Sequence, residues 1–84
     1  MGSDIIRLPE QLGPLLRAAR QRLGLTQANL AQRLGVSVQA MSRLEKNAGR
    51  ASFDRIHRLC LLLDLDLQLQ TRSATAAPPS TSEW

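Results

Sequence analysis

Thr26 to Glu45, TQANLAQRLGVSVQAMSRLE, decides the fold. It reads as two short helices joined by a tight turn. Thr26 is an N-cap, a residue whose hydroxyl can accept from a free amide at a helix start. Leu30, Ala31 and Leu34 then fall on one face at helical spacing. Gly35 supplies the sharp turn, Ser37 caps the next helix, and Met41 and Leu44 recur on its inward side. Ala31 is small where the second of these helices must cross close to the first. The spacing Gln27, Leu30, Ala31, Gly35, Met41, Leu44 is the packing skeleton of a helix-turn-helix.

Outside that stretch the chain reads as support. Pro9 suits a first helical position. Leu12, Leu15, Leu16, Ala19 and Leu23 follow at helical spacing, with Arg17, Arg20 and Arg22 off that stripe. Pro14 favours a first turn at 9–12 and a firm helix from 14 to 23, which Gly24 ends. Residues 47–51 (NAGRA) form a loop, and Ser52 caps a fourth helix from Phe53 to Leu63. Phe53, Ile56, Cys60 and Leu63 make its apolar stripe, while Leu59, Leu61 and Leu62 spread apolar surface around the rest of the cylinder. An 84-residue chain cannot cover a helix on every side, so this helix is expected to meet a second subunit through Leu61 and Leu62.

After it, LDLDLQLQ (63–70) alternates strictly, placing Leu65, Leu67 and Leu69 on one side. That is the period of a half-buried strand. The weak DIIRL arm (4–8) is the only internal candidate to pair with it, and a lone strand is not stable. Pairing with the same strand of a second copy solves this, as a lid across a twofold axis. The alternative is a fourth helix that continues to residue 70. Residues 73–84 (SATAAPPSTSEW) have the composition of a disordered tail and end in the chain's one Trp, Trp84, a side chain suited to anchoring in a partner's pocket.

Composition narrows the function. Net charge is +4, and between Arg7 and Arg58 nine arginines and Lys46 face three acids, an excess of seven positive charges. A basic segment of this kind suits a polyanion. Cys60 is the sole cysteine and His57 the sole histidine, so no metal set and no nucleophile–base pair is expected. No catalytic residue, metal, cofactor, membrane span or small-molecule substrate is expected; the chain is read as a cytoplasmic binding protein rather than an enzyme.

On the helix-turn-helix skeleton, Ser37, Val38, Gln39, Ser42 and Arg43 are the candidates for base readout. Gln can bond adenine in a bidentate way, Val can pack on a thymine methyl, and Arg can read guanine. Thr26 and Gln27, at the start of the second helix, are candidates for a phosphate held beside free helix amides. Lys46 and Arg50 are further phosphate candidates, and Arg17 and Arg22 weaker ones.

Residues 12–63 resemble the Cro/C1-type (XRE) helix-turn-helix family. The resemblance implies an all-α, lambda-repressor-like domain of four to five helices. It also implies an internal ion pair between Arg20, in the first helix, and Glu45, which ends the recognition helix. From Leu8 to Arg72 the chain further resembles HipB-type antitoxins, which restrain HipA-type Ser/Thr-kinase toxins. LPEQL (8–12), RxxxGxTQxxLAxxxG (20–35), the leucine-rich fourth helix, the alternating strand and the terminal Glu83-Trp84 carry that likeness.

By resemblance the chain is a bacterial, nucleoid-associated homodimer. It binds palindromic double-stranded operator DNA, represses its own promoter, and docks a HipA-like kinase through Trp84. The competing reading is a phage-type or general repressor without a toxin partner. The expected organisation is an N-terminal arm (1–8), a DNA-binding domain (9–63), a dimerisation strand (64–72) that forms an intersubunit β-lid, and a disordered tail (73–84). The recognition helix begins Ser37-Val38-Gln39, which departs from the family, so no operator sequence carries over.

Overall fold

The structure is a computed structural model and describes residues 4–72. Four helices account for its order: α1 (Leu12–Arg22), α2 (Gln27–Leu34), α3 (Val38–Lys46) and α4 (Phe53–Leu62). Single 3-10 turns at Pro9–Gln11 and Ala48–Arg50 lead into α1 and out of α3. The tail at 73–84, with Trp84, lies outside the described residues.

Each helix start is chemically marked. Thr26 Oγ1 accepts from the Asn29 amide at 3.0 Å, and Asn29 Oδ1 returns the bond to the Thr26 amide at 3.2 Å. Ser37 and Ser52 accept from the Ala40 and Arg55 amides at 3.0 and 3.2 Å. Such caps satisfy amides that have no partner inside the helix. Before α1 the marker is different: Gln11 Oε1 gathers the Arg7 and Leu8 amides at 2.6 and 2.8 Å.

The helix ends share one device. After α1 the Leu25 amide bonds the Arg20 carbonyl at 3.1 Å; after α2 Val36 bonds Ala31 at 3.0 Å; after α4 Leu65 bonds Cys60 at 2.9 Å. In each case the residue before the donor turns left-handed: Gly24 (φ 73°), Gly35 (φ 82°) and Asp64 (φ 60°). This closure brings an apolar residue back onto the helix it ends. Leu25, Val36 and Leu65 all pack against the core. Asp64 does this without glycine's freedom, at a cost that its short polar side chain reduces.

The core is small and drawn from every helix. Leu16 and Ala19 of α1, Leu30, Ala31 and Leu34 of α2, Met41 and Leu44 of α3, and Ile56, Leu59 and Cys60 of α4 are buried, with Ala48 and Leu63 from the connections. Burial raises the Cys60 thiol pKa above its ordinary 9.0, which keeps it a neutral apolar filler.

Three expectations change. First, α1 begins at Leu12 rather than near Pro14. Pro14 therefore sits in the first turn, where the helix makes no use of the missing N–H. Second, α4 is rotated relative to the expected stripe: Leu59 is fully buried, whereas Phe53 is 71% exposed and stacks on His57 with ring centroids 5.9 Å apart. Ile56, Leu59, Cys60 and Leu63 form the inward face. Third, the loop at 47–51 contains a helical turn whose Ala48 is buried.

The expected β-lid lies between subunits, and the single chain does not show it. Among the described residues no strand forms; α4 stops at Leu62 and 65–71 carry no regular structure. Neither the continued helix nor an internal pairing with the 4–8 arm occurs. A strand needs a partner's backbone, and the described residues supply none.

The seat of α3 depends on two glycines. A Cβ at Gly13 would collide with the Glu45 carbonyl oxygen, and one at Gly49 would come within 2.8 Å of Pro9 atoms. Gly13 thus lets the start of α1 pass against the end of α3. Alanine ordinarily favours a helix interior over glycine by about 1 kcal/mol. At this position the sign reverses: Gly13→Ala should destabilise by about 1–3 kcal/mol, as overpacking does. Urea melts of the two proteins decide it; an equal or higher midpoint for the variant would contradict the close approach.

Candidate nucleic-acid interface

α2 and α3 cross through Leu30, Ala31, Leu34, Met41 and Leu44, all buried. That crossing leaves one side of α3 open. Gln39 and Arg43, one turn apart, are exposed, Val38 is 46% exposed, and Ser42 is half-buried. Lys46 continues the Gln39–Arg43 face toward the C-terminus and is exposed, as is Arg50 in the turn beyond. Ser37 Oγ accepts the cap bond with one lone pair, which leaves its hydroxyl proton and its second lone pair for other partners. Thr26 is in the same position at the start of α2.

Arg20 and Glu45 meet inside the domain. Arg20 Nε donates to Glu45 Oε2 at 2.7 Å and a terminal Arg20 nitrogen to Oε1 at 3.4 Å. The other terminal nitrogen donates to the Leu25 carbonyl at 2.9 Å. The Glu45 side chain is 1% exposed. Gln27 joins them, its Nε2 donating to Glu45 Oε1 at 2.9 Å, and Arg17 Nε stands 3.7 Å from the same oxygen. One carboxylate on α3 thereby receives side chains from α1 and α2.

Burial works against the charged Glu45 carboxylate. The hydrogen bonds from Arg20 and Gln27, with the positive charges of Arg20 and Arg17, outweigh it and hold its pKa below the ordinary 4.5. No buried side-chain nitrogen or oxygen among the described residues lacks a partner. Such a link stabilises little over an apolar substitute, yet removing one member strands a buried charge.

Sequence reasoning misses the Gln27–Glu45 bond and the nearness of Arg17, since it treats Gln27 only as a surface phosphate candidate. A signal exists for Arg17: it lies three residues before Arg20, so the two share a helix face. Nothing local signals the Gln27 bond, which joins residues 18 positions apart.

The sign of the pH dependence follows from the lowered pKa of Glu45. Its contribution is complete above the unfolded value near 4.5 and is lost as the pH falls through the folded value. Melting temperature should therefore drop in acid more steeply for the parent than for Glu45→Gln, with the two curves converging below pH 4.5. Parallel curves would contradict an ionised Glu45. At neutral pH, Arg20→Ala should cost about 3–5 kcal/mol by leaving the carboxylate buried and unpaired.

Comparison with known proteins agrees with this geometry. A family model described as a helix-turn-helix domain matches residues 11–72. The antitoxin HipB of Escherichia coli O6:H1 is 29% identical over 87 residues, spanning 100% of this chain and 93% of the relative. The antitoxin HipB of Escherichia coli K12 is 28% identical over 83 residues, spanning 99% and 93%. Among solved structures, a HipB variant in complex with an O2 20-mer superposes with a TM-score of 0.76 at 26% identity, covering 86% of this chain and 100% of that one. HipB in a HipA–HipB–O2–O3 complex gives 0.74 at 25% identity, covering 84% and 100%. With its two crossed helices, its open α3 face and a family match over most of its length, the chain belongs to the helix-turn-helix domain family.

Proposed function

We propose that the protein is a HipB-type antitoxin: a homodimeric, operator-binding autorepressor that also holds a HipA-like Ser/Thr kinase inactive. The observation that carries this reading is similarity along the whole chain to HipB antitoxins, joined to a fold that matches HipB in its operator-bound and HipA-bound states. A bare helix-turn-helix would support only DNA binding.

Two copies place their α3 helices in successive major grooves about 34–36 Å apart. Gln39 and Arg43 read base edges, Val38 packs on a methyl group, and Ser37 and Ser42 contribute donors from the same face. Thr26, Gln27, Lys46 and Arg50 hold phosphates, which set register without carrying sequence. The exposed Leu61 (65%), Leu67 and Leu69, with the half-buried Leu62 and Leu65, support a second-subunit contact. In that dimer residues 64–72 pair as the lid, and the open backbone of each supplies the partner the other lacks. The organisation is then an arm at 1–8, a DNA-binding domain at 9–63, the dimerisation strand and a tail at 73–84 that brings Trp84 to the kinase. No described helix is long and apolar enough to cross a membrane; a bacterial cytoplasmic, nucleoid-bound site suits the reading.

Gln39→Ala and Arg43→Ala should each weaken operator binding by about 1–3 kcal/mol and relax preference at one base position. Competition with single-base operator variants measures this; unchanged affinity and preference would remove α3 as the reader. For the antitoxin half, co-purification with the product of the neighbouring gene should recover a kinase with the parent chain and lose most of it when Trp84 is deleted. A kinase recovered equally by both contradicts the docking role of Trp84. No kinase with either favours a plain repressor.

A further inference from the structure

Arg17 is unusual among the basic side chains. It is half exposed, yet its Nε is turned inward to the buried Glu45 carboxylate at 3.7 Å. Gln27 Nε2 reaches the same Glu45 oxygen at 2.9 Å. Two donors from α1 and α2 thus converge on one acceptor that solvent does not reach. Neither is used up there. Arg17 keeps the four N–H groups of its terminal nitrogens, and Gln27 Nε2 keeps its second N–H. The Glu45 carboxylate is itself anchored by Arg20, whose other terminal nitrogen is tied to the Leu25 carbonyl.

Resting on the operator-binding function, we propose that Arg17 is a further phosphate contact, and that Glu45 is the positioning residue that sets it beside Gln27 so that both grip one backbone phosphate. Glu45 never touches DNA. It holds the inner end of Gln27 by a hydrogen bond and draws Arg17 toward the same place by its charge, so less side-chain freedom is lost on binding than for Lys46 or Arg50. The arrangement also joins phosphate binding to α3. Glu45 is the penultimate residue of α3, so an anion held by Arg17 and Gln27 fixes the depth and tilt of the helix that reads bases. Arg17 adds little to stability by itself, because an exposed pair at 3.7 Å is weak.

The test is operator binding by fluorescence anisotropy over a salt series, using a duplex of the inverted repeat upstream of the gene and a scrambled duplex. Arg17→Gln should keep the parent melting temperature, weaken both duplexes by a similar factor, and flatten the slope of log K against log salt by about 0.9, one phosphate contact. Glu45→Gln, assayed below its own melting temperature, should flatten the slope in the parent background and by clearly less in the Arg17→Gln background. An unchanged slope for Arg17→Gln overturns the phosphate contact. Equal losses from Glu45→Gln in both backgrounds overturn the positioning role. A parent chain that binds neither duplex overturns the operator-binding function, and with it this inference.

Discussion

The Glu45 carboxylate is the constraint on which the domain depends. It lies at the end of α3, is almost wholly removed from water, and accepts from Arg20 of α1 and Gln27 of α2. Apolar packing between Leu30, Ala31, Met41 and Leu44 brings α2 and α3 together but tolerates small rotations, since hydrophobic contact is not directional. A charged, bidentate pair does not tolerate them. The three helices are thus packed by leucines and oriented by one acid. Gly13 completes the arrangement, because only a residue without a Cβ lets α1 pass the Glu45 carbonyl.

Two kinds of surface result. The outward side of α3, with Gln39, Arg43 and Lys46, is polar and rides on the rigid crossing. The far side of α4 and the segment beyond it carry Phe53, Leu61, Leu67 and Leu69 in contact with solvent. A chain of this size buries a limited core, and exposed leucines on this scale are the mark of an interface. Both surfaces fit the proposed function, in which the first would read a half-site and the second would pair two copies at a fixed separation.

Much of the fold is legible in the sequence because it is local. Thr26, Ser37 and Ser52 announce helix starts, Gly24 and Gly35 announce ends, and the period of Leu30, Leu34, Met41 and Leu44 orients α2 and α3. The fourth helix is legible as a helix but not in its rotation. Leucines surround it, so period alone does not choose Leu59 over Phe53 for the interior. The left-handed turn at Asp64 carries no glycine to betray it, and the role of Gly13 depends on a carbonyl 32 positions away in the chain. The pairing of Arg20 with Glu45 enters through family resemblance, and spacing along the chain does not imply it. The alternation at 63–70 is plain, but a strand is a property of two backbones, and one sequence shows only half of it.

The most direct test of the central claim is a double substitution that removes the ionic link and leaves the volume filled. Arg20→Met/Glu45→Met should retain most of the parent's stability, because apolar replacement of both members avoids a stranded charge. Its operator affinity, measured on the same duplex, should still fall by about tenfold or more, equivalent to ~1.4 kcal/mol, since Gln27 and α3 lose their common anchor. A folded double variant that binds the operator as tightly as the parent would show that packing alone orients α3, and would contradict the role of Glu45 as the acid that orients it.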